Sequence, residues 1–199
     1  MKTLYCWPSR LPSSLDGLYE QVASQAGFDV VQCLDALSEV TAVRALQEES
    51  GATDALASDA LVAVIDAAVL SEMVSPADVI EGLQAVAGQS VLDLVVVVGD
   101  GYLSTDIADL GPTMLAASAV AAARALAVRR GSQRRANVVC IPDAMFGRAS
   151  TQRGALLQQV ECVDVTNAVA FLLGAGASYL SGQVLFVDGG RQLFSSHSA

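Results

Sequence analysis

A chain of 199 residues, 53% hydrophobic and 16% charged, is long enough for one well-buried core, short for two domains, and too apolar to be disordered. Its formal net charge of −10 argues against nucleic acid as a partner. Membrane insertion is not expected either, because the longest apolar stretch, Met114 to Val128, is broken by Arg124. The start, MKTLYCWPSR, has no secretory signal, so the expected setting is the cytoplasm.

Apolar runs alternate with helical patterns, which predicts an α/β fold: a parallel sheet of about six strands with helices on both faces, in three layers. In chain order the expected elements are strand Thr3 to Trp7, a helix from about Ser14 to Ala26, strand Asp29 to Cys33, helix Ser38 to Glu49 and strand Leu61 to Ile65. Helix Pro76 to Ala87, strand Asp93 to Val98, helix Thr113 to Arg130 and strand Asn137 to Ile141 follow. Helices Arg153 to Val160 and Val163 to Leu173 and strand Val184 to Val187 complete the series, as one domain over residues 1–199. The run VLDLVVVV is nearly free of polar residues, as a central strand covered on both faces requires. The helix from Thr113 is apolar on nearly every face, so it should be covered by the sheet and by a second body, most simply another subunit.

Scarce residues remove whole chemistries. Lys2 is the one lysine and His197 the one histidine, both near termini, which leaves no lysine or histidine for a Schiff base, a P-loop or a Ser-His-Asp relay. Cys6, Cys33, Cys140 and Cys162 lie far apart in sequence and read as buried thiols. Residues 1–110 hold 17 acids against Lys2, Arg10 and Arg44, whereas residues 111–199 hold 4 acids against 8 arginines. Arg129 and Arg130 suit a helix C-terminus and the other arginines between 124 and 153 read as solvated loop charges; a docking patch for an acidic surface is the competing reading.

Residues 163–190, VDVTNAVAFLLGAGASYLSGQVLFVDGG, resemble the C-terminus of the short-chain dehydrogenase/reductase family: a helix, an Ala-Ser-Tyr-Xaa-Ser/Thr-Gly-Gln turn and a strand ending Val-Asp-Gly-Gly. LVAVIDAAV, VVVVGDG, AVAAARALA and NVVCIPDAMFG resemble the family's fourth strand, fifth strand, catalytic helix and sixth strand. The resemblance implies a Rossmann-like domain shortened between Asp35 and Leu61, where the family's third, edge strand has no room.

Set against that family, the chemistry is altered. The turn after the first strand, SRLPSSLDG, lacks the glycines that let backbone amides approach a pyrophosphate; Leu11 and Pro12 stand where the approach is needed. The positions of the family's tyrosine and lysine hold Pro112 and Ala116, and that of its serine holds Gly99. The resemblance therefore implies no catalytic residues and no cofactor. Asp35 is the candidate for an NAD ribose, with a loop-capping acid as the alternative. Asp66, Asp100 and Asp143 each follow a strand at the crevice; they could converge on a hard cation or share a proton, but the favoured reading is that each caps the turn after it and that no metal is held. The function expected is a non-catalytic subunit, pairing with a second copy or an active relative of the family through the C-terminal strand and helix 163–173. The alternatives are a divergent NAD(P)-dependent oxidoreductase using an acid such as Asp100 or Asp143, and a small-molecule sensor.

Overall fold

The valine-rich run lies in the interior of the sheet. In this computed structural model, which describes residues 2–34, 59–67, 70, 75–89, 93–103, 110–130, 134–148, 154–156 and 158–195, six parallel strands are β1 (Thr3–Trp7), β2 (Val30–Cys33), β3 (Ala60–Ile65), β4 (Asp93–Gly99), β5 (Ala136–Ile141) and β6 (Val184–Phe186). Their spatial order is β2-β1-β3-β4-β5-β6. The sheet thus reverses direction of growth beside β1, and β2 and β6 are its edges.

Alternation along β4 explains why so apolar a strand is needed. Leu94, Val96 and Val98 pack on one face with Leu83, Leu115, Ala119 and Ala123 from helices α2 (Pro76–Gln89) and α3 (Leu110–Arg130). Val95 and Val97 pack on the other with Leu18, Val22, Val165 and Val169 from α1 (Leu18–Ala26) and α4 (Cys162–Leu173). Both faces are dry, so period-2 polarity has no place in the strand. A last short helix, α5, spans Gln192–Ser195. Helices α2 and α4 begin as their sequences lead one to expect: Ser75 and Asp78 exchange hydrogen bonds, and so do Glu161 and Asp164.

Two expected elements change, and so does the reading of several arginines. The first helix breaks: a 3-10 turn at Ser13–Leu15 is followed by Gly17 in the left-handed region at φ 77°, and α1 starts only at Leu18. Residues 154–156 and 158–160 form no helix; Gly154 is pressed against the backbone of Asp188 and Gly189, and the Leu156 amide donates to the Gly189 carbonyl at 2.9 Å, so this segment is strapped across the end of β6. Among the described arginines, Arg134, Arg135 and Arg148 are half-buried rather than solvated, while Arg124 and Arg129 are exposed. Arg135 pairs with Asp93 at 2.5 Å and donates to the carbonyls of Leu172, Leu173 and Gly174, closing the C-terminus of α4. The expected helix Ser38 to Glu49 and the missing third strand fall on residues 35–58, outside the described residues.

Helix α3 keeps one face on the sheet and presents another outward, with Leu110 and Met114 half-exposed and Val128 exposed. By length and composition α3 could also cross a bilayer, but it is laid along the sheet through Leu115, Ala119, Ala123 and Leu126.

Candidate functional site

Parallel strands deliver their carboxyl ends to one crevice. β3, β4, β5 and β6 end in Asp66, Gly99-Asp100, Pro142-Asp143 and Val187-Asp188, and β1 runs into the turn from Pro8 to Gly17.

At the β4 and β5 ends the crevice is filled by charge. The Asp143 carboxylate rests on the backbone of β4: a Cβ added at Gly99 would lie 1.9 Å from its Oδ1, and one at Gly101 2.5 Å from its Oδ2. No side chain fits at either position while Asp143 keeps its place. Arg148 donates to Asp143 Oδ2 at 3.0 Å and lies 3.6 Å from Asp66 Oδ1, while the Asp143 amide donates to Asp100 Oδ1 at 3.0 Å. Arg191, in turn, sits 3.3 Å from Asp100 Oδ2. Gly99, Pro112 and Ala116 do come together, around a cavity of about 10 Å³ that Asp143 and Arg148 also line. That is room for about one water molecule.

Electrostatics at this spot favour protons. Burial pushes the Asp143 carboxyl above its ordinary range, against the pull of Arg148 and the Gly101 amide. Burial does the same to Asp100, against the Asp143 amide and Arg191, and the neighbouring carboxylates add to it. The fold brings Asp66, Asp100 and Asp143 together, with Arg148 between Asp66 and Asp143 and Arg191 on Asp100. Among the described residues no group of three or more acids, cysteines or histidines is arranged to hold a metal ion. The sequence reading missed both arginines' partners; the only signal was their position directly after Gly147 and Gly190, which lets the chain turn back to the crevice.

The β1 turn is built differently. Leu11 is packed against the core on the α1 face, and the Pro12 carbonyl accepts from the Leu15 amide at 2.8 Å to form the 3-10 turn. Leu15 and Leu18 are fully buried, Ser14 Oγ donates to the Met145 carbonyl, and the Tyr19 hydroxyl donates to the Pro8 carbonyl at 3.0 Å. Gly17, the N-cap of α1, has no side chain to accept from the first-turn amides of that helix. A helix N-terminus with unclaimed amides suits an anion, although Asp16 and Glu20 are exposed beside it. Asp35 lies outside the described residues.

No family model matches the sequence, and no curated protein matches it. Solved structures do match the fold. A short-chain type dehydrogenase/reductase from Mycobacterium ulcerans superposes with a TM-score of 0.68 at 17% identity, covering 99% of this chain and 93% of that one. A 7α-hydroxysteroid dehydrogenase complexed with NADH and 7-oxo glycochenodeoxycholic acid gives 0.66 at 16% identity, with 95% and 94% covered. An enoyl-(acyl-carrier-protein) reductase from Anaplasma phagocytophilum in complex with NAD gives 0.63 at 15%, with 96% and 94% covered. The chain has the fold of the short-chain dehydrogenases/reductases.

These structures correct one expectation. That no cofactor belongs to this crevice is overturned by neighbours of the same fold solved with NAD and NADH. In this chain Leu11 packs against the core while half-buried, and the Pro12 carbonyl is engaged in the 3-10 turn.

Proposed function

We propose that the chain is a non-catalytic subunit that takes a nicotinamide nucleotide in the β1 half of its crevice and pairs with another chain of the same fold, in the cytoplasm. The carrying observation is the Asp143 carboxylate seated on Gly99: the space beside Gly99, Pro112 and Ala116 holds about one water, not a substrate. The first-turn amides of α1 would hold the phosphates, Arg10 would supply charge, and Asp35 is the candidate for the ribose. Such a nucleotide supplies hydride chemistry, but no side chain at Pro112 or Ala116 can deliver the accompanying proton.

Pairing is supported by what the C-terminal elements leave open. β6 is an edge with one neighbour, and Val163, Phe171 and Tyr179 expose apolar surface on and just after α4. The test is calorimetric titration with NADH and NADPH, followed by light scattering of the chain alone and with an active relative of the fold. Nucleotide binding together with a dimer or hetero-oligomer is the expected result. Steady turnover of NADH with a carbonyl panel by this chain alone overturns the non-catalytic reading, and a monomer indifferent to the relative overturns the pairing.

A second reading has one observation in its favour. Burial holds the Asp100 and Asp143 carboxyls above their ordinary range, toward the protonated form that a divergent oxidoreductase would use as an acid. It requires turnover that D143N abolishes.

A further inference from the structure

We propose that Cys6 and Cys33 form a dithiol site: two thiols side by side on adjacent parallel strands, one sealed and one open to solvent, that close reversibly to a disulfide. The register of β1 on β2 places Cys6 directly opposite Cys33. Neighbouring strands lie about 4.8 Å apart, and opposed residues share a face of the sheet. That spacing falls inside the roughly 4.4 to 6.8 Å between Cα atoms that a disulfide spans. The Leu34 amide donates to the Cys6 carbonyl at 2.8 Å, which holds the register just beyond the pair.

The two sulfurs differ in access. Cys6 is fully buried among Leu4, Tyr19 and Val22, whereas Cys33 is exposed on an edge strand, against the expectation that every thiol is buried. Cys140 is buried on β5, three strands away from β1, and the Cys162 thiol faces the Asp16 carbonyl at 3.6 Å, so neither competes for Cys6. Burial first, and the Glu20 carboxylate second, hold the Cys33 thiol above its ordinary value; at Cys6 the charge of Cys33 adds to burial. Among the described residues, Tyr19 is the remaining titratable group facing the pair. Cys33 is therefore slow at neutral pH and faster in alkali.

The oxidant is a hydroperoxide. The Cys33 thiolate attacks the terminal peroxide oxygen, forming a sulfenic acid as the O–O bond breaks and water or an alcohol leaves. Cys6 then attacks that sulfur; the S–S bond forms, the S–O bond breaks, and the hydroxyl leaves as water with the Cys6 proton. Two thiols lose two hydrogens and the peroxide is reduced. A dithiol reductant reverses the step by exchange. The bond ties the edge strand to β1 and encloses the Pro8 to Gly17 turn and α1 in a covalent loop. It rests on strand register and does not depend on nucleotide binding.

The whole chain is treated with hydrogen peroxide at about pH 8.5, where more of the thiol is ionised, then denatured, alkylated and digested for mass spectrometry. Expected is one peptide pair joining Cys6 to Cys33, two hydrogens lighter than the reduced peptides and restored by dithiothreitol. Oxidation should raise Tm by roughly 5 °C, and Cys33→Ser should remove both effects while Cys162→Ser keeps them. Overoxidised Cys33 beside a Cys6 that still alkylates, or a Cys33 bond between two chains, overturns the proposal.

Discussion

The two halves of the crevice make opposite use of their backbone. At β1 the chain buries Leu15 and Leu18, packs Leu11 against the core, and leaves the first amides of α1 without a capping side chain. At β4 and β5 the order is inverted: Gly99 and Gly101 contribute bare backbone, and the Asp143 carboxylate with its Arg148 partner occupies the space over it. One half ends in a helix N-terminus without a capping side chain; the other is closed by its own charges. A single sheet can therefore keep the scaffold of one subsite while filling the next, because each strand end is furnished by a separate loop.

The contrast assumes a floor common to both halves, and the largest expected effect comes from breaking it. Arg135→Ala removes the guanidinium from Asp93, which keeps only the amide of residue 135, and takes that donor from the Leu172 and Leu173 carbonyls, while the Gly174 carbonyl keeps the Ala177 amide. Both side chains are still partly exposed, so the loss in urea unfolding should be about 2 to 4 kcal/mol. A loss below about 0.5 kcal/mol, typical of a surface pair, would show that α4 is held by packing alone.

Next in size is a direct test of the filled half. Gly99→Ala forces a methyl onto Asp143 and should destabilise by about 1 to 3 kcal/mol, the usual range for overpacking. In a D143A background the same change should cost clearly less, giving a coupling energy in a double-mutant cycle. Additive losses would mean that the Asp143 carboxylate is not what excludes a side chain at Gly99.

A smaller effect separates the halves by pH. Asp100 and Asp143 have folded values above the ordinary 3.8, so in that window the folded chain binds more protons than the unfolded one. Stability from these two acids is highest below 3.8 and falls as pH rises through their raised folded values. D143N should flatten part of that slope in unfolding curves recorded across the acid range. An unchanged slope would locate the pH dependence elsewhere.

The scaffold was legible because period and burial leave marks in a sequence. β1 was placed to the residue, and the Asp93 run could only be a strand covered on both faces. What escaped depended on partners distant in sequence. Arg148 reads as an ordinary loop charge until the fold brings Asp66 and Asp143 to it, Arg191 carries no signal of its contact with Asp100, and Cys33 reads as buried because only β2's place at the sheet edge exposes it. The break at Gly17 was visible as a glycine but not as a helix start, since Leu15 and Leu18 continue the apolar spacing across it.

The smallest expected effect tests the open half alone. Glu20 lies in the first turn of α1, where a carboxylate complements the helix dipole and, for the same reason, competes with any phosphate placed there. Glu20→Gln should cost a few tenths of a kcal/mol of stability, since the acid is exposed and screened, yet tighten NADH roughly two- to five-fold at low salt, with the gain fading as ionic strength rises. Glu20 also holds the Cys33 thiol up, so the same substitution should speed peroxide oxidation of Cys33. Faster oxidation with unchanged nucleotide affinity would place Glu20 beside the thiol but away from the phosphates, and would move the binding half of the crevice off the α1 N-terminus.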